Sequence, residues 1–238
     1  MRLLNYLWIV LWGSLMISCS SQKSTAEKQD NGTEVSTETA AAITQNGITN
    51  INDYKIGKAY EQSPYAVFAG GCFWCIEGAL QQIDGIIDVV SGYSGGDQAY
   101  PTYHEVGSGT TGHAESVVVF YDPAKLDYHT LLELFFEAHD PTQANGQGPD
   151  IGPEYRAIVF YENEEQKQEV EAYIKELNAS GKYDRPIVTE VSPYKSFWVA
   201  EAYHQDYYEN HPENPYVQNV SKPKVEKIAR LFKDLLKK

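Results

Sequence analysis

The stretch YAVFAGGCFWCIEGAL, residues 65–80, passes from one backbone periodicity to another across two glycines. Tyr65–Ala69 is a short, continuous apolar run of the kind that forms a buried strand, whereas Ile76, Ala79, Leu80 and Ile83 follow helical spacing. The change falls at Gly70-Gly71, so a helix is predicted to begin at or just after Cys72. The glycines let the backbone turn sharply and let a ligand approach closely. A helix start presents free N–H groups and the positive end of the macrodipole, and both favour a thiolate over a thiol. Cys72 is therefore a candidate nucleophile. Cys75 lies about one turn further along the same face, within reach of a disulfide with it.

The same alternation of patterns continues downstream. Ile86–Val90 is β-branched and strand-like, and a long Gly/Tyr/Thr/Ser loop is predicted over Ser91–Gly112. Glu115–Tyr121 reads as a strand ended by Asp122-Pro123, and Tyr128–Ala138 as a helix. A second loop covers His139–Tyr155, followed by a strand at Ala157–Tyr161. Asn163 is placed as an N-cap, with Glu164 and Glu165 favourable in the first turn. Its helix carries Val170, Tyr173, Ile174 and Leu177 on one face. Ile187–Val191 is read as a strand, Val199–Asn210 as helical and Lys224–Leu236 as a final amphipathic helix. The central β-α-β-β-α-β order predicts an α+β fold with a ferredoxin-like split βαβ core, a two-layer α/β sandwich with extra helices and a C-terminal helical extension. Two long loops in a compact domain point to function.

Composition limits the partners. The 238 residues carry a formal net charge of -14, which repels nucleic acid and anionic headgroups, so no nucleic-acid partner is expected. Eighteen tyrosines give the core or its pocket polar tips. Three cysteines are too few for a disulfide scaffold. Nothing points to an obligate oligomer, and a monomer is expected.

The first residues read as a signal peptide, Met1–Ser18, with one basic residue and an apolar run too short to span a bilayer. Met16-Ile17-Ser18-Cys19-Ser20 resembles the lipobox of bacterial lipoproteins, in which the cysteine is lipidated. An uncleaved anchor, or an ordinary signal with an incidental cysteine, are the other readings. Residues 19–62 are polar and predicted to be a largely disordered tether, whose last part could lie on the domain through Ile48, Ile51, Tyr54 and Ile56, leaving a catalytic domain at 63–220 and a C-terminal helix at 221–238. A lipidated Cys19 would place the protein in the bacterial cell envelope, membrane-anchored and facing the periplasm or cell exterior.

Three chemistries suit the Cys-x-x-Cys pair. Zinc needs a second close pair of ligands, and His104 and His113 are separated by eight residues rather than three to five, so no metal is expected. A thioredoxin-like general disulfide oxidoreductase needs an open approach, where Phe73 and Trp74 would raise walls. A thiol enzyme acting on a small sulfur or carbonyl group held between aromatic rings fits the motif as a whole. Two buried structural cysteines, or a non-catalytic surface-anchored binding module, are the inert alternatives.

The motif Gly71-Cys72-Phe73-Trp74 resembles the signature of peptide methionine sulfoxide reductases, type A. The likeness continues in order through SGYSGG (91–96), PTYHEV (101–106), SGTTGHAESV (108–117), HDPTQ (139–143), GPDIGPEYRA (148–157) and AEAYHQDYY (200–208). The resemblance implies reduction of methionine S-sulfoxide, free or in oxidised proteins, by attack of Cys72 on the sulfoxide sulfur, with Glu115 as the acid that protonates the oxygen. It implies that Tyr103 and Tyr155 donate hydrogen bonds there, that Asp150 shapes the pocket, and that Phe73 and Trp74 cradle the methyl and thioether groups. Cys72 would end as a sulfenic acid. Many relatives resolve it with cysteines in a glycine-rich tail, but Pro212–Lys238 has none. Cys75 is therefore expected to form the disulfide with Cys72, the rival being direct reduction of the sulfenic acid by an external thiol. No bound cofactor is implied. The reductant would be an external thiol, thioredoxin-like, with dithiothreitol serving in vitro.

Overall fold

The computed structural model describes residues 44–45 and 48–238. The signal segment, Cys19 and the first part of the tether lie outside the described residues. Four central strands, β3 (Tyr65–Gly70), β4 (Ile86–Ser94), β5 (Ala114–Tyr121) and β8 (Ala157–Tyr161), lie in the spatial order β4-β5-β3-β8, each neighbouring pair antiparallel. The sequence of β5, AESVVVFY, is buried at every position. An alternating strand covers one face only; a continuous apolar run needs cover on both.

Ala66, Phe68, Val117 and Val119 face a layer of helices: α2 (Phe73–Gln81), α4 (Tyr128–Ala138), α5 (Glu164–Ser180) and α7 (Lys222–Leu231). Asp127 caps α4 by accepting the N–H of Thr130 at 2.8 Å, and Asn163 caps α5 by accepting that of Gln166 at 2.9 Å. Val225 and Ile228 of α7 are buried in the same core as α2 and α4. The C-terminal segment is thus part of the helical layer. It ends with a 3-10 turn at Lys233–Leu235.

Val67, Ala69, Val118, Phe120, Ile158 and Phe160 form a second core on the opposite face. Much of its cover comes from upstream of Tyr65. β2 (Ile48–Asn50) pairs antiparallel with β10 (Phe197–Val199), and α1 (Ile51–Tyr54) follows, capped by Asn50. Ile48 and Ile51 are fully buried, and the Tyr60 ring lies 4.4 Å from that of Phe120. The assignment of residues 48–62 to a disordered tether is therefore corrected. They are polar on average, but Ile51 and Tyr60 join the second core and Ile48 joins the first, while Ile56 stays exposed. β1 (Thr44–Gln45) pairs with β2, and β9 (Glu190–Pro193) runs parallel to β8, completing an eight-stranded mixed sheet among the described residues.

Two further boundaries differ from expectation. β4 runs on through Ser94, and Val199–Asn210 is not a helix. Val199 ends β10, and then come a 3-10 turn at Ala202–His204 and the single helical turn α6 (Tyr207–Asn210). Side chains take over the hydrogen bonds there. Gln205 accepts the N–H of Ser91 at 3.0 Å and donates to the carbonyls of Ser91 and Ala200, both at 3.0 Å.

Burying an isoleucine contributes about 1.5–3 kcal/mol. A chain starting at Pro64 should therefore lose at least about 3 kcal/mol of unfolding free energy relative to one starting at Thr44, measured by urea denaturation. Equal midpoints and slopes would show that residues 48–62 only rest on the sheet.

Candidate active site

β3 stops at Gly70 and α2 starts at Phe73, with Cys72 as its N-cap residue. Gly71 has φ +88°, and a Cβ there would come within 2.6 Å of the Gln147 side chain. Gln147 cannot yield, because it accepts the N–H of Asp140 at 3.0 Å and donates to the Asp140 carbonyl at 2.7 Å. Only glycine makes this turn without displacing the second loop.

The turn delivers two free thiols to a dry site. Cys72 is 5% exposed and Cys75 fully buried. The backbone N–H of Phe73, which a helix start leaves free, donates to Glu115 Oε2 at 3.0 Å. Glu115 lies on β5, opposite Tyr93 in the antiparallel register of β4. Burial pushes its carboxyl up to about 8; the Phe73 hydrogen bond opposes this and the Asp150 charge adds to it. At neutral pH Glu115 is a carboxylic acid.

The cysteines ionise as a pair. Burial, the hydrogen bond with Cys75 and the Glu115 charge push Cys72 well above its ordinary range. The hydrogen bond with Cys72 brings Cys75 down to about 6 against the effect of burial, assisted by Lys224, Ser221 and Tyr216. The pair thus shares its charge across one helical turn, and the N–H nearest Cys72 is spent on Glu115.

Aromatic rings surround the thiols. Phe73 is buried, with ring centroids at 6.3 Å from Tyr103, 6.0 Å from Tyr93 and 5.1 Å from His204. Trp74 stacks on Tyr207 at 3.7 Å and meets Tyr216 edge-on at 5.9 Å. Its indole N–H donates to His204 Nδ1 at 3.2 Å. Burial lowers His204 to about 4, so it is neutral, with its proton on Nε2. Tyr103 opens α3 (Tyr103–Gly107), capped by Thr102. Glu201 fixes it by accepting the Tyr103 N–H at 3.0 Å and the Tyr93 hydroxyl at 2.8 Å. Tyr155 closes a 3-10 turn, Pro153–Tyr155, just after the small hairpin of β6 (Gly146–Gln147) and β7 (Asp150–Ile151). Burial, then the charges of Glu115 and Cys72 among others, push both hydroxyls upward, as expected when they face the same space. Asp150 accepts the Tyr216 hydroxyl at 2.6 Å.

Cys72, Phe73, Trp74, Cys75, Tyr103, Glu115, Asp150 and Tyr155 thus gather around one turn of α2, while Cys19 lies outside the described residues. His204, Tyr207 and Glu201 were not singled out from the sequence, although all three lie in AEAYHQDYY. Tyr216 and Ser221 have no local signal. Among the described residues no three His, Cys, Asp or Glu side chains group as a metal site. Gly96 N and Gln98 O engage both ring nitrogens of His113.

The family model for peptide methionine sulfoxide reductase matches residues 64–235. This chain belongs to that family. A peptide methionine sulfoxide reductase of Thermus thermophilus is 50% identical over 172 residues, 72% of this chain and 97% of that protein. A relative from Haloquadratum walsbyi is 50% identical over 174 residues, 73% of this chain and 99% of the other. Among solved structures, Mxr1 from Saccharomyces cerevisiae in reduced form has a TM-score of 0.59 at 32% identity, covering 64% of this chain and 87% of its own. Methionine sulfoxide reductase A of Corynebacterium diphtheriae has a TM-score of 0.58 at 32% identity, covering 66% and 78%. The family is one of oxidoreductases, and the mixed α/β architecture is that of these neighbours.

The Glu115 carboxyl sets a pH dependence of stability. Unfolded, it ionises near its ordinary value of 4.5; folded, near 8. Between these values the native state keeps a proton that the unfolded state has lost, so stability falls as pH rises. Glu115→Gln has no such proton to lose. Its melting temperature relative to wild type should therefore rise between pH 5 and 8 and level off above. A difference that stays constant across that interval would place the Glu115 ionisation elsewhere.

Proposed function

We propose that this protein reduces methionine S-sulfoxide, free or in oxidised proteins, with Cys72 as nucleophile and Glu115 as acid. The observation that carries this reading is the buried Glu115 carboxyl, hydrogen-bonded at 3.0 Å to the residue that follows Cys72, where burial favours the protonated form. Oxygen leaves a sulfoxide only when protonated, and a buried carboxylic acid beside the attacking sulfur supplies that proton. Within the cysteine pair, a proton needs to move only from one sulfur to the other for Cys72 to carry the charge. Cys72 Sγ bonds to the sulfoxide sulfur as the oxygen takes the Glu115 proton. The hydroxyl then passes to Cys72 Sγ as the new S–S bond breaks, its electron pair returning to the methionine sulfur, which leaves the thioether of methionine and Cys72 as sulfenic acid. Phe73 and Trp74 receive the methyl and thioether groups, Tyr103 and Tyr155 point hydroxyls at the oxygen, and Asp150 shapes the rim.

Cys75 then displaces hydroxide from the Cys72 sulfenic acid, giving a disulfide and water. No other cysteine stands among the described residues. An external dithiol of the thioredoxin type restores both thiols, and no bound cofactor enters the cycle. We infer further that the β4-β5-β3-β8 order, antiparallel throughout, is a ferredoxin-like split βαβ core. The upstream segment supports a lipoprotein reading: cleavage before Cys19, acylation of its thiol, and a monomer tethered to the bacterial cell envelope. Mass analysis of the membrane-bound protein should find acylated Cys19 as the first residue; an intact Met1 would contradict it.

Activity is tested with methionine S-sulfoxide and dithiothreitol. Cys72→Ser should be inactive, and Glu115→Gln should lose at least about a hundredfold. Cys75→Ser should release about one methionine per enzyme, more slowly than wild type, and then stall with a thioredoxin-type donor. A general disulfide oxidoreductase would instead be indifferent to Glu115→Gln. Full activity in Cys72→Ser would end the reading.

A further inference from the structure

The segment 216–224 carries no thiol, yet it wraps the Cys75 sulfur. Val217–Ser221 forms a π-helical turn that runs directly into α7. Such turns insert an extra residue and re-aim the side chains around it. Ser221 is fully buried, with Oγ 3.2 Å from Cys75 Sγ. Tyr216 Oη is 4.0 Å from the same sulfur, but its proton is given to Asp150. The Ser221 hydroxyl is therefore the side-chain donor free to turn toward Cys75. Lys224, three residues after Ser221 on the same helical face, has its Nζ buried without a hydrogen-bond partner among the described residues. A buried ammonium with no acceptor is costly unless an anion faces it.

We propose that Ser221 and Lys224 form a cradle for the Cys75 thiolate and so activate it for attack on the Cys72 sulfenic acid. This rests on the reductase reading and deepens it. The S–S bond forms as the S–O bond of the sulfenic acid breaks, and the proton lost by Cys75 ends on the departing hydroxyl as water. Cys75 is oxidised, and the sulfenic sulfur is reduced to the disulfide level. The groups facing Cys75 agree. Cys72 has the largest effect in lowering its ionisation, followed by Lys224, Ser221 and Tyr216, against burial. Glu115 is neutral near pH 7, and so is His139, which burial and the Lys224 charge hold at about 4. Lys224 is therefore the cation of this site. The C-terminal segment thus supplies the environment of a sulfur on α2.

The test uses reduced full-length protein mixed with one equivalent of methionine S-sulfoxide, without external thiol, and quenched at short times. Methionine release, a sulfenic-acid adduct on Cys72 and the Cys72–Cys75 disulfide are followed together by mass. At about pH 5, where the Cys75 thiolate is the minor form, the ratio of disulfide closure to methionine release in Lys224→Met should fall about tenfold, with the adduct accumulating, the effect of about one pH unit in thiolate stability. Lys224→Arg should restore the ratio to within about threefold, and Ser221→Ala should lower it by an intermediate factor. An unchanged ratio in both Lys224→Met and Ser221→Ala overturns the proposal. Absence of methionine release from wild type would instead overturn the reductase reading. A substrate-free arm decides independently. In a Cys72→Ser background, the pH midpoint of the ultraviolet thiolate absorbance of Cys75 should rise when Lys224→Met is added, and an unmoved midpoint would refute the cradle.

Discussion

The hydrogen bond from the Phe73 N–H to Glu115 ties the two halves of the site together. It joins the first turn of α2 to the third strand of the central sheet, so the Glu115 carboxyl stands beside the residue that follows Cys72. Two opposing effects meet in that carboxyl. A helix N-terminus favours the carboxylate, and a dry, enclosed position favours the acid. Dryness wins, and it wins because the aromatic walls and both buried sheet faces exclude water. The same enclosure raises Cys72, so the site needs a second sulfur to share its charge. The pairing of Cys72 with Cys75 follows from the environment that keeps Glu115 protonated.

The walls depend on a part of the chain that looks unremarkable in composition. Tyr207 and His204 hold Trp74 on two sides, one by stacking and one through the indole N–H. Glu201 links Tyr93 of the sheet to the start of α3 and thereby sets Tyr103. Glu77, one turn beyond Trp74, is buried and accepts the Ser91 hydroxyl at 3.0 Å. Polar side chains thus pin an irregular segment against α2, where regular secondary structure would have put the rings elsewhere.

This explains what was legible in the sequence and what was not. The strand–turn–helix at Tyr65–Leu80, the buried run of β5 and the capped helix after Asn163 are local patterns, and each forms where its periodicity places it. The short strand Ile48–Asn50 exists because β10, about 150 residues later, offers it an edge. Val199–Asn210 has helical spacing but is held by Gln205 and Glu201 to strand β4. Tyr216 and Ser221 matter only because α7 folds back on α2. None of these is encoded within a window of a few residues. The eight candidate residues from Cys72 to Tyr155 were readable because they sit in motifs, whereas their supports are scattered.

Placing both sulfurs within one turn of a helix also changes how the redox cycle is limited. A sulfur on a mobile tail must find its target by diffusion, and the entropy of closing a long loop sets its effective concentration. Here the N–H of Cys75 is already bonded to the Cys72 carbonyl at 3.1 Å, so the ring to be closed contains two intervening residues and almost no chain freedom to lose. The encounter is prepaid in the folding of α2. On the proposed cycle, oxidation and reduction proceed without a segment leaving the body of the domain, so that proton position and charge, rather than chain motion, would set the speed of the second step.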